Sequence, residues 1–234
     1  MNLPIGQLAK NYQSVLDRIE SAATAAGREP GDICLVAVTK YVDEEVVRQL
    51  YDLGCRHFGE SRPQALWQKA ESLKGLDIQW HMIGHLQTNK VRRTLPSLCL
   101  LHSGDSLKLL SLVNEEAERI ETQTDVLCEV NISGDETKHG FTEEHLLESI
   151  ESIGQLKHIC VKGLMAMASR SGGVERAKMD FERMESLRQK LVDRQIDGVS
   201  MDELSMGMSG DFEQAIAHGA TLVRVGSVLF ESDS

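Results

Sequence analysis

Short apolar runs alternate along this chain with longer segments in which apolar residues recur every three or four positions. Eight of the short runs have the length and the flanking turn residues of buried strands. They cover 33–40, 57–60, 78–84, 98–104, 125–133, 158–167, 202–208 and 221–230. Helical periodicity is clear over 44–54, 107–120, 144–154 and 175–194, and a further helix is predicted over about 3–26.

Strands that are joined through helices pair in parallel, because a parallel partner requires a long crossover connection. Eight such units predict an α/β fold of the closed (β/α)8 barrel type, with the first helix packed on its outside or floor. No linker or shift in composition divides the chain, so we expect one domain over 1–234. An open doubly wound sheet is the alternative, but it usually has a glycine-rich turn where this chain has TKYVDEE.

Composition narrows the function classes. The formal net charge is −11, which argues against nonspecific nucleic-acid binding and against docking on an anionic membrane. The first residues do not have the basic and then apolar pattern of an export signal, which predicts a cytoplasmic protein. The five cysteines are dispersed without a CxxC pair, so we expect reduced, buried thiols and no metal site.

Functional residues of a (β/α)8 barrel lie at the C-terminal ends of its strands. Lys40 ends the first strand, and strand alternation places it on the same face as Cys34, Val36 and Val38. If that face points into the barrel, apolar layers lead up to a lysine at the rim. Such a lysine can form a Schiff base with a carbonyl compound, and a solvated rim lysine is the alternative interpretation.

The last strand carries an inward-facing arginine. Leu222, Arg224 and Gly226 share one face, and an arginine inside a barrel is costly unless an acceptor binds it. Gly226 leaves room for a ligand close to backbone N–H groups. The loop at 208–210 follows the seventh strand and precedes a helix.

The loops after strands seven and eight form the recurrent phosphate site of this fold, and helix N-termini also bind phosphate. The alternative is a plain turn in which Ser209 or Asp211 caps the helix. A lysine amine, a phosphate cradle and an arginine in one barrel mouth suggest an aldehyde that carries a phosphate. Pyridoxal 5′-phosphate is such a molecule.

The sequence resembles the family of pyridoxal phosphate homeostasis proteins, also known as the proline synthase co-transcribed family. The matching motifs occur in the family's order over nearly the whole chain. They are LVAVTK around Lys40, FGES at 58–61, WHMIGHLQTNK at 80–90, VNISGDETKHG at 130–140, GLMAM at 163–167 and LSMGMSGDFEQAIAHGATLVRVGSVLF at 204–230. The resemblance implies a single-domain barrel of the alanine-racemase type that binds pyridoxal phosphate without an established reaction.

Residue roles follow from the matched motifs. The resemblance implies that Lys40 forms the Schiff base and that Arg224 faces the pyridine nitrogen. It assigns the phosphate to Ser209 and to the backbone of Gly226 and Ser227.

Three further residues are expected at the cofactor. Met208 would line the pocket, and Asn131 and His81 would be additional neighbours, although a histidine inside an apolar strand is more often a core residue. Two positions depart from the family's usual pattern. Ser61 replaces an asparagine near the cofactor mouth, and Glu231 replaces a glycine that we expect to lie beyond the site.

The sequence favours a binding protein over an enzyme, with no catalytic residue assigned. An arginine at the ring nitrogen keeps its proton and leaves the ring a weak electron sink, which disfavours transaminase-like chemistry but is compatible with racemisation. The racemases of this barrel class take a tyrosine base from a second domain, and this chain ends at Ser234, so we expect it to lack that base. We expect a monomer that holds pyridoxal phosphate and passes it transiently to apoenzymes. A small racemase or lyase, and a cofactor-free aldolase acting on a sugar phosphate, are the alternatives.

Overall fold

Eight parallel strands close into a barrel in the computed structural model, which describes residues 4–135, 138–169 and 173–232. Each strand pairs with the next along the chain, and β8 pairs with β1. The strands are β1 Cys34–Val38, β2 His57–Glu60, β3 Gln79–Met82, β4 Leu100–Gly104, β5 Thr124–Val130, β6 Ile159–Ala166, β7 Val199–Ser205 and β8 Leu222–Val225. The predicted (β/α)8 barrel is confirmed, and the open doubly wound sheet is wrong.

Helices cover the outside of the barrel. Within the described residues they are α1 Ile5–Ala25, α2 Glu44–Asp52, α3 Pro63–Ser72, α4 Val91–Thr94, α5 Leu107–Arg119, α6 Glu143–Gly154, α7 Gly173–Val192 and α8 Phe212–Ala217. Short 3₁₀ turns occupy Pro30–Asp32, Thr88–Lys90, Leu95–Ser97 and Ser227–Leu229. None of the described helices is both long and apolar enough to cross a membrane.

Local sequence explains where these helices begin and which face they bury. Asp43, Ser106 and Thr142 each accept a hydrogen bond from a backbone N–H three residues further on, which caps α2, α5 and α6. Along α7 the buried residues recur at spacings of three and four, from Ala177 to Leu191. This spacing places them on one stripe that packs against the strands.

The barrel interior is apolar on one side. Val36 packs there with side chains from β4, β5, β6 and β8, namely Leu100, Leu127, Met165 and Leu222. Leu35 and Ala37 belong instead to the larger core between the strands and the helices. The predicted inward face of β1 is therefore confirmed, and it leads from Val36 towards Lys40.

Helix α3 has a helical pattern that the sequence analysis does not identify. Its buried residues are Pro63, Leu66 and Lys69, so a lysine occupies a position that an apolar residue would normally fill. Lys69 interrupts the apolar pattern of α3. A lysine is tolerated at this position because its ammonium group has a buried partner, which only the folded chain provides.

Helix α1 packs along the outside of the barrel, as expected. Leu8 and Val15 are fully buried on its inner face, and Arg18 forms an ion pair with Glu213 of α8 at 2.6 Å. Asn11 donates from Nδ2 to the carbonyl oxygen of Glu231 at 2.8 Å. These contacts join the first helix to the end of the described chain.

All five cysteines are free thiols, as predicted, but only Cys55 and Cys128 are buried, whereas Cys34, Cys99 and Cys160 are partly exposed. Burial raises the pKa of Cys34, Cys55 and Cys128 to about 12 in each case. These three thiols are therefore protonated at neutral pH and behave as small apolar side chains.

Gly163 of β6 lies so close to β7 that it cannot carry a side chain. A Cβ at this position would lie 1.8 Å from the backbone oxygen of Glu203. We predict that Gly163→Ala lowers the free energy of unfolding by about 3 kcal/mol or more, because the two strands have to separate. Gly6→Ala in α1 meets no atom within 4 Å and should be neutral or slightly stabilising. Urea denaturation of both variants measures the difference, and equal stabilities would contradict the prediction.

Candidate functional site

A cavity of about 730 Å³ opens at the C-terminal end of the barrel. Its apolar walls include Val38, Ile83, Met167 and Phe230. Six residues that the sequence analysis predicts at a cofactor border it: Lys40, Met208, Ser209, Arg224, Gly226 and Ser227. The fold therefore brings the lysine, the arginine and the two glycine-containing loops to one concave site, which is the usual shape of a small-molecule site.

Lys40 lies two residues beyond the end of β1, at the edge of the cavity. Its side chain is half-buried, and its Nζ lies 5.0 Å from the centre of the Tyr41 ring. The residue before it, Thr39, is fully buried, and its backbone carbonyl oxygen accepts a hydrogen bond from Lys69 Nζ at 2.7 Å. The backbone next to Lys40 is therefore fixed by a contact with α3.

A buried ion pair forms this support. Lys69 Nζ lies 2.5 Å from Glu60 Oε1, and the Thr39 hydroxyl donates to the same oxygen at 2.7 Å. Glu60 is fully buried, and Lys69 is only 5% exposed. Removal of one partner from such a pair leaves a buried charge uncompensated, which typically costs about 3–5 kcal/mol. The ion pair therefore fixes the backbone segment that carries Lys40.

Arg224 projects from β8 into the barrel interior and also borders the cavity. One of its terminal nitrogens donates to Ser205 Oγ at 2.5 Å, and the other donates to the Ala166 carbonyl at 2.9 Å. Burial lowers the pKa of Arg224 to about 10, and the carboxylates of Glu129 and Asp211 partly oppose this shift. The guanidinium therefore stays charged at neutral pH and acts only as a donor.

Glu129 is a buried carboxyl group whose pKa is affected by the charge of Arg224. It is 5% exposed, and its pKa is raised to about 7. Burial is the main cause, the negative charge of Asp105 adds to it, and Arg224 and His85 oppose it.

Three histidines continue the polar side of the barrel interior below Arg224. His102 Nδ1 lies 2.9 Å from Ser205 Oγ, and His102 Nε2 lies 2.8 Å from His81 Nδ1. His81 Nε2 in turn lies 2.9 Å from His57 Nδ1. Each histidine lies in a successive predicted strand, and that repetition is the one sequence signal that could have identified the cluster. We call these three residues with Ser205 the histidine column.

A hydrogen bond joins the loops after β7 and β8. The Gly226 N–H donates to Ser209 Oγ at 3.2 Å, and Ser209 lies before the cap position of α8. Asp211 occupies that position, as the plain-turn alternative allows, but its side chain forms no capping hydrogen bond, and its Oδ1 instead accepts from the Met208 N–H at 2.6 Å. The two loops therefore present hydroxyl and backbone groups side by side at the cavity.

Two residues that the sequence predicts at the cofactor have other partners in this structure. Asn131 donates from Nδ2 to the Asp135 carbonyl at 2.7 Å and so braces the loop after β5. His81 is 2% exposed and lies within the histidine column. Neither side chain is among the described residues that line the cavity. Their direct contact with a cofactor stays a prediction.

The two departures from the family pattern both lie at the cavity. Ser61 borders it, as expected. Glu231 borders it as well, so the expectation that this residue lies beyond the site is wrong. The reason is the 3₁₀ turn at Ser227–Leu229, which carries the chain that follows β8 past the mouth of the barrel.

A second polar group lies on the same face of the barrel, outside the cavity lining. His85 Nδ1 lies 2.7 Å from Asp105 Oδ2, and the His85 ring stacks on that of His139 with centres 4.1 Å apart. The potential ligand atoms of the three side chains lie within 4.8 Å of one another. The linear sequence separates these residues widely, and only the barrel brings them together.

The geometry defines a class of protein: a parallel barrel with a lysine, an arginine and two glycine-containing loops at one mouth. A family model described as the N-terminal domain of alanine racemase matches residues 10–233. The pyridoxal phosphate homeostasis protein of Aquifex aeolicus is 41% identical over 216 residues, which cover 92% of this chain and 94% of that protein. The protein of the same name from Pseudomonas aeruginosa is 37% identical over 95% of this chain and 94% of its own. The chain therefore belongs to the alanine racemase N-terminal domain family, together with the pyridoxal phosphate homeostasis proteins.

Solved structures agree with this assignment. PipY of Synechococcus elongatus PCC7942, described with pyridoxal phosphate (PLP) bound, has a TM-score of 0.81 at 29% identity, and the match covers 92% of this chain and all of that one. An alanine racemase of Clostridium difficile 630 has a TM-score of 0.72 at 16% identity, and the match covers 96% of this chain but 56% of the racemase. The racemase likeness shows the fold alone.

The histidine column makes stability depend on pH. Burial lowers the pKa of His81 to about 3 and that of His102 well below its ordinary value. Both rings are neutral in the folded protein, whereas in the unfolded chain they take up protons below about pH 6.5. Their contribution to stability is therefore present above pH 6.5 and is lost as the pH falls.

We predict that His102→Asn lowers by about one the number of protons that the chain takes up on unfolding between pH 6.0 and 4.5. The slope of the free energy of unfolding against pH decreases accordingly. This corresponds to about 1.4 kcal/mol per pH unit. Urea denaturation at several pH values measures the slope, which is independent of any constant loss of stability. His145→Asn, at an exposed position on α6, is the matched control and should keep the wild-type slope. An unchanged slope in the His102 variant would contradict the prediction.

Proposed function

We propose that this protein binds pyridoxal 5′-phosphate in the cavity at the barrel mouth and holds it on Lys40 without catalytic turnover. One observation carries the proposal: Lys40, near the first strand, and five residues from the last two strand ends, all predicted for this cofactor from the sequence, line the same cavity. The names of the relatives and the bound molecule in the PipY structure support it. In this function the protein limits the concentration of free reactive aldehyde.

The donor set fits the chemistry of this cofactor. Pyridoxal phosphate carries an aldehyde, a dianionic phosphate and a ring nitrogen that accepts a hydrogen bond. The cavity offers an amine at Lys40, hydroxyl and backbone donors at Ser209, Gly226 and Ser227, and a guanidinium at Arg224. Apolar walls complete the site for the ring. Each of these three groups of the cofactor thus has a chemically matched residue.

Lys40 provides the covalent anchor. Its amine would form a C=N bond with the aldehyde carbon, and the aldehyde oxygen would leave as water. The Glu60–Lys69 ion pair holds the backbone of Thr39, so the amine is presented from a fixed position. Formation of this link requires no residue on the face of the pyridine ring opposite Lys40.

The loops after β7 and β8 bind the phosphate. In this structure the Gly226 N–H already donates to an oxygen, the hydroxyl of Ser209. A phosphate oxygen would take the place of that acceptor, which would free the Ser209 hydroxyl to donate to the phosphate as well. A Cβ at Gly226 would lie 3.2 Å from Val38 Cβ, so the glycine lets the loop after β8 pack closely against the end of β1.

Arg224 disfavours the transaminase-like part of the chemistry that bound pyridoxal phosphate can support. Bound pyridoxal phosphate supplies an electron sink for bonds at the α-carbon of amino acids, and a protonated ring nitrogen strengthens that sink. Arg224 keeps its own proton at neutral pH and donates a hydrogen bond, so the ring nitrogen stays unprotonated. The site therefore retains the cofactor while it weakens the reactivity that enzymes exploit.

Release completes the proposed role. The cavity is open to solvent along Lys40 and the largely exposed Tyr41, so a second amine can reach the covalent link. Transimination by the active-site lysine of an apoenzyme would then transfer the cofactor. We place this transfer in the cytoplasm, where the free cysteines of the chain stay reduced, and we propose that a single chain, as a monomer, is sufficient.

We predict that the purified protein takes up added pyridoxal phosphate, becomes yellow and is bleached by borohydride. Peptide mass mapping should locate the reduced pyridoxyl group on Lys40, because that amine is the one that lines the cavity among the described lysines. Lys40→Ala should lose the visible band. Lys90→Ala, a rim lysine outside the cavity lining, is the matched control and should retain it. A group attached to another lysine, or a protein that takes up none, would refute the proposal.

We also predict that the loaded protein does not exchange the α-proton of amino acids in heavy water faster than free pyridoxal phosphate does. Arg224 weakens the electron sink of the ring, and the sequence assigns no second base that could move the α-proton. The same loaded protein should activate an apoenzyme that requires the cofactor, and Lys40→Ala should not. Rapid exchange that depends on Lys40 would favour the racemase or lyase alternative and would overturn non-catalytic binding.

A further inference from the structure

The histidine column connects Arg224 with the opposite end of the barrel. Four consecutive hydrogen bonds run from Arg224 through Ser205, His102 and His81 to His57. They link β8, β7, β4, β3 and β2 across the barrel interior, so strands that are not neighbours in the barrel are joined. Ser205 and His102 are fully buried, and His57, the first residue of β2, is half-buried.

The far end of the column reaches a second cavity. This cavity, of about 500 Å³, lies where the strands begin, and His57 borders it together with Tyr12 of α1 and Cys34 of β1. We call it the floor cavity. The column therefore starts at the guanidinium that borders the upper cavity and ends at a site open to solvent on the other side of the barrel.

The direction of these hydrogen bonds follows from the donors. A guanidinium can only donate, so Ser205 Oγ accepts from Arg224. Among the described contacts of this hydroxyl, His102 Nδ1 is the one partner that can accept its single proton. His102 must then carry its own proton on Nε2 and donate to His81 Nδ1.

The same reasoning applies to the next two rings. His81 accepts at Nδ1, so it carries its proton on Nε2 and donates to His57 Nδ1. His57 in turn has its free N–H at Nε2, at the floor end of the column. Every bond then contains one proton, and all three rings are neutral in the same Nε2–H tautomer. Burial supports this neutral state for His81 and His102.

We propose that Ser205, His102, His81 and His57 are positioning residues for Arg224, and that the column carries a change at the floor cavity to the cofactor end. The proposal rests on the proposed function for the identity of the ligand that Arg224 faces. An apolar barrel interior would have supported the strands equally well, as the side around Val36 and Leu127 shows. The histidine column differs from that apolar side because its hydrogen bonds all run in one direction, with one proton in each.

Loss of one link has a defined consequence. Without the Ser205 hydroxyl, Arg224 lacks one acceptor and His102 Nδ1 lacks its donor. The rings are then free to adopt either tautomer, and the guanidinium is free to turn relative to the ring nitrogen. A change at His57 acts from the other end, because His81 Nε2 loses its acceptor.

The first experiment uses the protein without cofactor. Proton–nitrogen correlation spectra of protein labelled with ¹⁵N-histidine report the tautomer of each ring. We expect His57, His81 and His102 to be neutral Nε2–H tautomers, and we expect Ser205→Ala to shift the resonances of all three. Ser205→Thr retains the hydroxyl and should restore the wild-type spectrum. Ser149→Ala, which removes a buried hydroxyl from α6, is the matched control and should leave the three rings unchanged.

The second experiment reads the cofactor end. With pyridoxal phosphate labelled at the ring nitrogen, we expect Ser205→Ala to shift the ¹⁵N resonance and the visible absorption band of the bound cofactor. His57→Leu should cause a smaller shift in the same direction, although His57 borders the floor cavity and not the upper one. Because the half-buried His57 tolerates substitution better than the buried members, this variant keeps the test valid if Ser205→Ala does not fold.

The outcomes separate this proposal from the proposed function. If the wild-type protein binds no pyridoxal phosphate, the proposed function fails while the tautomer experiment still tests the column. If the cofactor binds but Ser205→Ala leaves its ring-nitrogen resonance unchanged, the positioning role is overturned. A response confined to His102, with His81 and His57 unaffected, would overturn the claim that the column transmits a change.

Discussion

A buried guanidinium is the constraint on which the interior of this barrel depends. Arg224 is removed from water, and a charge in that position is tolerated only when acceptors surround it. Ser205 and the Ala166 carbonyl provide two of them, and Glu129 lies close enough to affect its pKa. Since Ser205 then needs a partner for its own proton, one side of the interior is polar down to the floor, while the other side packs as an ordinary apolar core.

The two ends of the candidate cofactor site are therefore held in different ways. Lys40 is mounted on a backbone fixed by a buried ion pair between β2 and α3. Arg224 donates to a chain of hydrogen bonds through the neutral side chains of Ser205 and the three histidines. The ion pair gives a strong and static support, because separation of its charges inside the protein is costly. The hydrogen-bonded chain costs less to rearrange, which suits a group whose contact with a ligand can be adjusted.

Shared architecture does not imply shared chemistry in this family. The barrel matches an alanine racemase over nearly all of this chain, yet the match covers little more than half of that enzyme. In the proposed function, the lysine, the phosphate loops and the arginine retain pyridoxal phosphate, and the charged donor at the ring nitrogen disfavours transaminase-like chemistry. Storage and transfer of a reactive aldehyde require this set of groups and an accessible covalent link.

Local pattern in the sequence determined the eight strands, the inward face of β1 and the positions of Lys40 and Arg224. Strand alternation depends on neighbouring residues, and helical crossovers between consecutive strands imply parallel pairing. The recurrent phosphate site of this fold predicted the loops that contain Ser209 and Gly226, and motif resemblance predicted their roles at the cofactor. Tertiary structure alone decided which polar groups meet inside the barrel. Lys69 on α3 interrupts an apolar stripe for a partner on another element, and Ser205 reaches His102 across the interior from a strand that is not its neighbour. Such contacts depend on how the closed sheet positions distant strands, and no spacing along the chain encodes that distance.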